Sequence, residues 1–159
     1  MNKHRIFFDT NVLVYAHDRS ATYHIDAAEL LKMAVENKIQ GVLAEQNIIE
    51  LYRILTNPTA MKGRPLTPVQ ANNLIKDTYL RGTFEIVYPV SLTIDRVLQL
   101  AVTNNVTSAK IFDIRLAALI LESNIDYFAT YNIIHFQGIP DINPLTPPEI
   151  INIIQLITL

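Results

Sequence analysis

The sequence predicts an α/β fold: a mostly parallel sheet of about five strands in a three-layer α/β/α arrangement. Three observations lead there. Short apolar runs rich in β-compatible residues recur along the chain, and stretches of helical spacing separate them. That alternation of strand and helix is the signature of a parallel sheet covered by helices. At 159 residues, half of them hydrophobic, the chain suits one domain over 1–159 with a sizeable core.

The first run, Ile6-Phe7-Phe8, reads as a buried central strand. Asp9 stops it abruptly, and Val12, Leu13 and Ala16 follow at helical spacing. Asp9 therefore stands at the carboxyl end of a strand, the edge where open α/β sheets bind ligands. Thr10 and Asn11 crowd beside it without a glycine to cradle phosphate, a set that suits a hard cation better than a nucleotide. The same Asp9 could equally be the N-cap of the following helix.

Residues 22–37 predict an amphipathic helix whose stripe is Ile25, Ala28, Leu31 and Val35. Residues 39–43 predict the second strand. Over 44–56 the stripe Ile48, Leu51, Tyr52 and Leu55 marks a helix that Asn57-Pro58 ends. Glu50 lies off that stripe, on the flank of Gln46, where an ordinary exposed acid would look the same. Residues 59–68 form a loop with Gly63, Pro65 and Pro68, and Thr67 is placed to cap a helix reaching about Leu80. Together 57–81 read as a helical excursion from the sheet. The third strand covers 84–88. Ser91 or Thr93 then caps a helix with Leu92, Val97, Leu100 and Ala101 on its apolar face.

Residues 111–121 are apolar nearly all round, which marks a buried helix. Its polar residues are Asp113 and Arg115, too close in sequence to share a face. A carboxylate there must be capping, paired or bound to metal, since stranding a charge is costly. Residues 126–129 give the fourth strand, with Thr130, Tyr131 and Asn132 at its carboxyl end. The segment 138–142, carrying Ile139 and Ile142, predicts a fifth, and Pro147-Pro148-Glu149 opens an apolar tail.

Composition narrows the function. With no cysteine, neither a disulfide scaffold nor a zinc–thiolate site is possible. Residues 1–5 leave no room for a signal peptide's apolar region, and no run approaches the roughly 20 residues that span a bilayer. The expectation is a cytoplasmic protein with no membrane partner. The net charge of −2 argues against indiscriminate nucleic-acid binding, but its distribution is uneven. Arg53, Lys62, Arg64, Lys76 and Arg81 face one acid, Asp77, between Leu51 and Gly82, while the rest of the chain is acidic. That lobe is either a phosphate-contacting patch or an ordinary solvated surface.

Four motifs in order and spacing resemble the PIN-domain ribonucleases, most closely the toxins of VapBC toxin–antitoxin pairs. They are Asp9 in Phe-Phe-Asp-Thr-Asn-Val-Leu-Val-Tyr-Ala, Glu50 in its helix, Asp113 in Phe-Asp-Ile-Arg-Leu-Ala-Ala, and residues 130–136. The resemblance runs from about Ile6 to Ile150. It implies an acidic pocket at the carboxyl edge of the sheet and cleavage of single-stranded RNA dependent on Mg²⁺ or Mn²⁺. It maps the family's acids onto Asp9, Glu50 and Asp113, as catalytic residues and metal ligands together. Where many members carry a fourth acid, this chain has Asn132. Thr10, Asn11, Thr130 and Asn132 are then expected to orient ligands or waters. A small antitoxin and a second copy of the chain are the expected protein partners, the latter through the apolar tail 150–159. The rival reading keeps the fold without catalysis, as an RNA-binding or scaffolding module. An aspartyl-phosphate phosphotransferase is disfavoured because position 11 is Asn where that chemistry resembles Asp-x-Asp.

Overall fold

The computed structural model describes residues 3–157. Ile6, Phe7 and Phe8 lie in strand β1 (Arg5–Phe8) and are fully buried. β1 pairs in parallel with β2 (Gln40–Ala44) on one side and β4 (Tyr127–Ala129) on the other. Outside these lie β3 (Glu85–Val87) and β5 (Pro144–Leu145), also parallel, giving the order β3-β2-β1-β4-β5. The chain walks outward from β1 to β3 and then crosses back to begin β4 on the other side. The boundary between β1 and β4 is therefore the switch point, where diverging connections leave a crevice at the strands' carboxyl ends.

Side chains alternate across the central strands. Ile6, Phe8 and Leu43 enter one core, whereas Phe7, Val42 and Ala44 enter the other. The first core is covered by α1 (Thr10–His17), α2 (His24–Val35), α3 (Glu45–Leu55), α4 (Pro68–Ile75) and α8 (Pro147–Ile157). The second is covered by α5 (Thr93–Thr103), α6 (Ile111–Glu122) and the short α7 (Ile133–Phe136). This is the predicted three-layer fold, with a sheet parallel throughout. Among the described residues no helix is long and apolar enough to cross a membrane.

The excursion 57–81 packs onto the first core. Thr67 caps α4 in a reciprocal box with Gln70, as expected. α4 continues into a π-helical turn, Lys76–Leu80, which buries Tyr79 completely and sets its hydroxyl 2.6 Å from His17 Nε2 on α1.

Several expectations need correction. The buried face of α2 is Ala27, Leu30, Leu31 and Ala34, while Ile25 and Val35 are exposed. The helical period holds and the phase does not, because Ala27 and Ala34 are as apolar as the packing requires without standing out. Tyr52 of α3 is exposed, and the inward position belongs to Asn47, in line with Leu51 and Leu55. Leu92 precedes α5 and is exposed; no side chain caps that helix, although Thr93 Oγ1 accepts the Val90 N–H at 2.9 Å. The fifth strand is Pro144–Leu145, not 138–142. Ile139 and Ile142 are buried in the second core as part of the approach to it. Proline is tolerated because β5 is an edge strand. In α8, Ile150 and Ile154 are buried and Leu156 and Ile157 exposed; Thr158 and Leu159 of the predicted tail lie outside the described residues.

Candidate active site

Where β1 ends, the Asp9 N–H still bonds the Ala129 carbonyl of β4 at 2.9 Å, which fixes the residue at the switch point. Asp9 is the N-cap of α1 and is 7% exposed. Its Oδ1 accepts the Thr10 N–H at 2.7 Å; its Oδ2 accepts the Thr130 hydroxyl at 2.7 Å and the Asn11 amide at 3.0 Å. Capping through Oδ1 thus leaves Oδ2 to accept from two further side chains. Burial pushes the carboxyl up to about 6 in spite of the bonds from Thr130 and Thr10, and the charges of Glu50 and Asp113 push the same way. Both of those acids therefore lie close enough for their fields to reach Asp9.

Glu50 is held from two sides. Its Oε2 accepts the Thr10 hydroxyl at 2.9 Å and its Oε1 accepts the Gln46 amide at 2.9 Å, one helical turn back. Thr10 Oγ1 in turn accepts from Asn47 Nδ2 at 3.0 Å, and Asn47 Oδ1 accepts the Ala44 N–H at 2.9 Å. Asp113, in the first turn of α6, is paired: its Oδ2 lies 3.2 Å from His135 Nδ1. Arg115 does not pair with it. The guanidinium instead donates to Gln46 Oε1 at 2.6 Å and forms an ion pair with Glu45.

The donors around this edge are carboxylate oxygens, hydroxyls and amides, the set a hard divalent cation takes. No lysine or arginine bonds Asp9 or Glu50 among the described residues. Nor do three of His, Cys, Asp and Glu close into a ready-made ligand cage among those residues. An ion that keeps several of its own waters fits such an open arrangement.

A protein-family model described as the PIN domain matches residues 5–133. Ribonuclease VapC24 of Mycobacterium tuberculosis is 32% identical over 125 residues, covering 79% of this chain and 84% of that protein. The chain belongs to the PIN-domain family. Among solved structures, VapBC-1 of nontypeable Haemophilus influenzae superposes with a TM-score of 0.63 at 17% identity, over 91% of this chain and 98% of that one. The M. tuberculosis toxin VapC20, described as cleaving the sarcin–ricin loop, gives 0.61 at 10% identity over 84% and 94%.

Within this PIN fold the predicted residues divide. Asp9, Thr10, Asn11, Glu50 and Thr130 form one hydrogen-bonded group, and Thr130 Oγ1 also accepts the Asn132 N–H at 2.9 Å. The Asn132 side chain is exposed and makes no hydrogen bond among the described residues; its backbone alone joins the group. Asn47, Gln46 and Arg115 also join the hydrogen bonding at this edge, a part the sequence alone did not assign to them. Asn47 carried a readable signal, a polar residue in register with buried Leu51 and Leu55, whereas Arg115 reaches its partners across 69 and 70 residues of sequence.

The basic lobe divides too. Lys62 Nζ contacts Ser20 Oγ at 3.3 Å, and Arg64 lines a cleft of about 450 Å³ with Arg19, Asp18 and His17. The Asp18 carboxyl is held below its usual range by Ser20, and by Lys62 and Arg64 after it. Arg81 is taken up by Asp77 at 3.2 Å, while Arg53 and Lys76 make no ion pair among the described residues. Arg19, outside the stretch from Leu51 to Gly82, belongs with Lys62 and Arg64.

Proposed function

We propose that this PIN-domain chain is an endoribonuclease that hydrolyses phosphodiester bonds of single-stranded RNA, acting as the toxin of a toxin–antitoxin pair. The observation that carries the reading is Asp9, a buried carboxylate at the switch point that three donors orient and two other acids crowd. Similarity to a protein named ribonuclease VapC24 supports the reaction class.

In this reading Asp9, Glu50 and Asp113 hold Mg²⁺ or Mn²⁺. Such an ion supplies a water of lowered pKa and positive charge against the phosphorane-like transition state. The chain's own work is to hold the ligands. Thr10 bridges the first two acids by accepting from Asn47 and donating to Glu50, and bonding Asp9 through its N–H. Asn11 and Thr130 keep Asp9 Oδ2 aimed along one direction, so little reorganisation remains when charge develops. Lys62, Arg64 and Arg19 would take the strand's phosphates. Arg53 and Lys76 would add to that field.

Cleavage of labelled single-stranded RNA with Mg²⁺ or Mn²⁺ tests the proposal. Wild type should cut, and Asp9→Asn or excess EDTA should reduce cutting to background; equal rates would overturn it. One observation favours a second reading, RNA binding without catalysis: the acids do not close into a cage. A protein that holds RNA in EDTA and never cuts it with metal would be that module.

A small antitoxin is the proposed partner, since solved structures of similar fold include ones described as VapBC and FitAB, and a cytoplasmic setting is proposed with it. A second copy is proposed on α5, where Ile94, Leu98 and Val102 form an exposed apolar ridge at i, i+4 and i+8. It offers a more continuous surface than the described part of the tail, 150–157. Light scattering should give a dimer that Leu98→Glu converts to a monomer.

A further inference from the structure

Three tyrosines adjoin the acidic edge without serving it. Tyr131 follows Thr130, and its N–H donates to Asn11 Oδ1 at 3.2 Å. Its ring stacks on Tyr23, with centroids 4.3 Å apart and planes 19° from parallel. Tyr15 meets both, edge-on to Tyr131 at 5.4 Å and tilted to Tyr23 at 5.5 Å. Tyr15 and Tyr131 pack in part against the first core, but packing alone is a poor account of the cluster. Tyr23 remains 47% exposed, and the buried Tyr131 hydroxyl has no partner among the described residues. Tyrosines kept for a core are covered and have their hydroxyls bonded.

The position of the cluster is specific. Asn11, whose amide bonds Asp9 Oδ2, and Tyr15 stand one turn apart on the same face of α1, about 6 Å along its axis. α1 then gives way to the loop that carries Arg19 and Ser20, the contact of Lys62, and ends at Tyr23. Carboxylates, aromatic rings and cations therefore follow one another along a single element and its loop. A single strand needs that series: phosphates on cations, a base on a ring face, and the scissile bond at the acids.

We infer that Tyr23, backed by Tyr131 and Tyr15, is a stacking subsite for an unpaired nucleobase next to the scissile phosphate. The inference rests on the ribonuclease reading above. Every base has a π-face, so the subsite selects unstacked RNA over duplex and not one base over another.

Binding of a labelled single-stranded RNA to the full chain in EDTA tests it, with an abasic nucleotide placed at each position in turn. Tyr23→Leu, which keeps apolar cover over Tyr131, should weaken binding about tenfold, and Tyr23→Phe by less than about twofold. In wild type one abasic position should cost about the same factor, and the cost should vanish in Tyr23→Leu. A purely structural role would not move that coupling. Equal affinity of Tyr23→Leu and wild type, or an abasic cost that Tyr23→Leu leaves intact, overturns the inference. So does a Tyr23→Leu protein that binds RNA normally but no longer captures its co-expressed antitoxin. Should Tyr23→Leu fail to fold, the wild-type scan alone decides, since the absence of any position-dependent loss refutes stacking. A wild type that neither binds nor cuts RNA overturns the ribonuclease reading itself, a failure not confined to the Tyr23 variants.

Discussion

Around Asp9 the buried side chains of Thr10, Asn47 and Thr130 are each tied to another, whereas in 57–81 the charged side chains reach solvent with few partners. Thr10 alone touches Asp9, where β1 ends, and Glu50 and Asn47 of α3. Arg81, by contrast, holds one exposed carboxylate at 3.2 Å. The difference teaches where each region's energy lies. The acidic edge stores like charges in a buried network, at a cost in stability. The basic lobe costs almost nothing and acts through its field.

The largest effect should come from removing one of the stored charges. Asp9→Asn should take cleavage to background while the metal-free fold becomes more stable. The folded carboxyl titrates at about 6 against an ordinary 3.8, so ionising Asp9 opposes folding. That cost is absent below about pH 4, grows through pH 6 and stays constant above it. In EDTA, the stability of Asp9→Asn relative to wild type should thus rise with pH through this window, a difference from which the opposite contribution of His17, held down to about 4 by burial, cancels. At pH 7 the gain should be about 3 kcal/mol, less whatever the amide loses by presenting an N–H to a donor. Urea unfolding at several pH values measures both. A stability difference between the two proteins that does not grow through the window would mean that burial does not hold the Asp9 carboxyl above its ordinary range.

How much of this was legible depended on distance along the chain. Asp9 could be read because a buried strand ends on it and a helical pattern begins at once. Glu50 could not be told from a surface acid, since what distinguishes it is Thr10, 40 residues earlier. The Thr130–Asp9 bond spans 121 residues and has no local trace. Ile139 and Ile142 misled because an apolar run signals burial, and burial under a sheet edge leaves the same mark as a strand. Pro144 hid the real strand, where only its edge position makes proline acceptable. The distribution of charge pointed to Lys62 and Arg64 but could not show that Arg19 joins them or that Asp77 takes Arg81.

A second, smaller effect probes whether the network is what holds the acids. Asn47→Leu would fill the space but leave the Ala44 N–H without its acceptor and Thr10 Oγ1 without its donor, while the Thr10 hydroxyl still donates to Glu50. Stability should drop by about 1–3 kcal/mol. RNA cleavage should fall about tenfold, as is typical when a group orienting a metal ligand is removed. RNA affinity in EDTA should not change. If cleavage per folded molecule were unaffected, Thr10 and Glu50 would hold their places without Asn47, and the acidic edge would be less interdependent than its bonds imply.

The smallest effect separates the cations of the lobe from one another. Neutralising Lys62 and Arg64 together to Gln should flatten the dependence of log affinity on log salt by about 0.7 for each phosphate of a single strand that is no longer neutralised. Arg81→Gln should leave the slope unchanged, because Arg81 and Asp77 form an exposed i, i+4 pair whose net charge is already zero. Lys62 also contacts Ser20, whose hydroxyl and N–H both bond Asp18, so the double variant should loosen that turn slightly without disturbing metal binding at the far end of α1. RNA binding measured in EDTA across a salt series reads all three slopes. Equal flattening by Arg81→Gln would mean that the lobe works as a diffuse field with no defined phosphate sites, and the division between its paired and unpaired cations would carry no meaning for RNA.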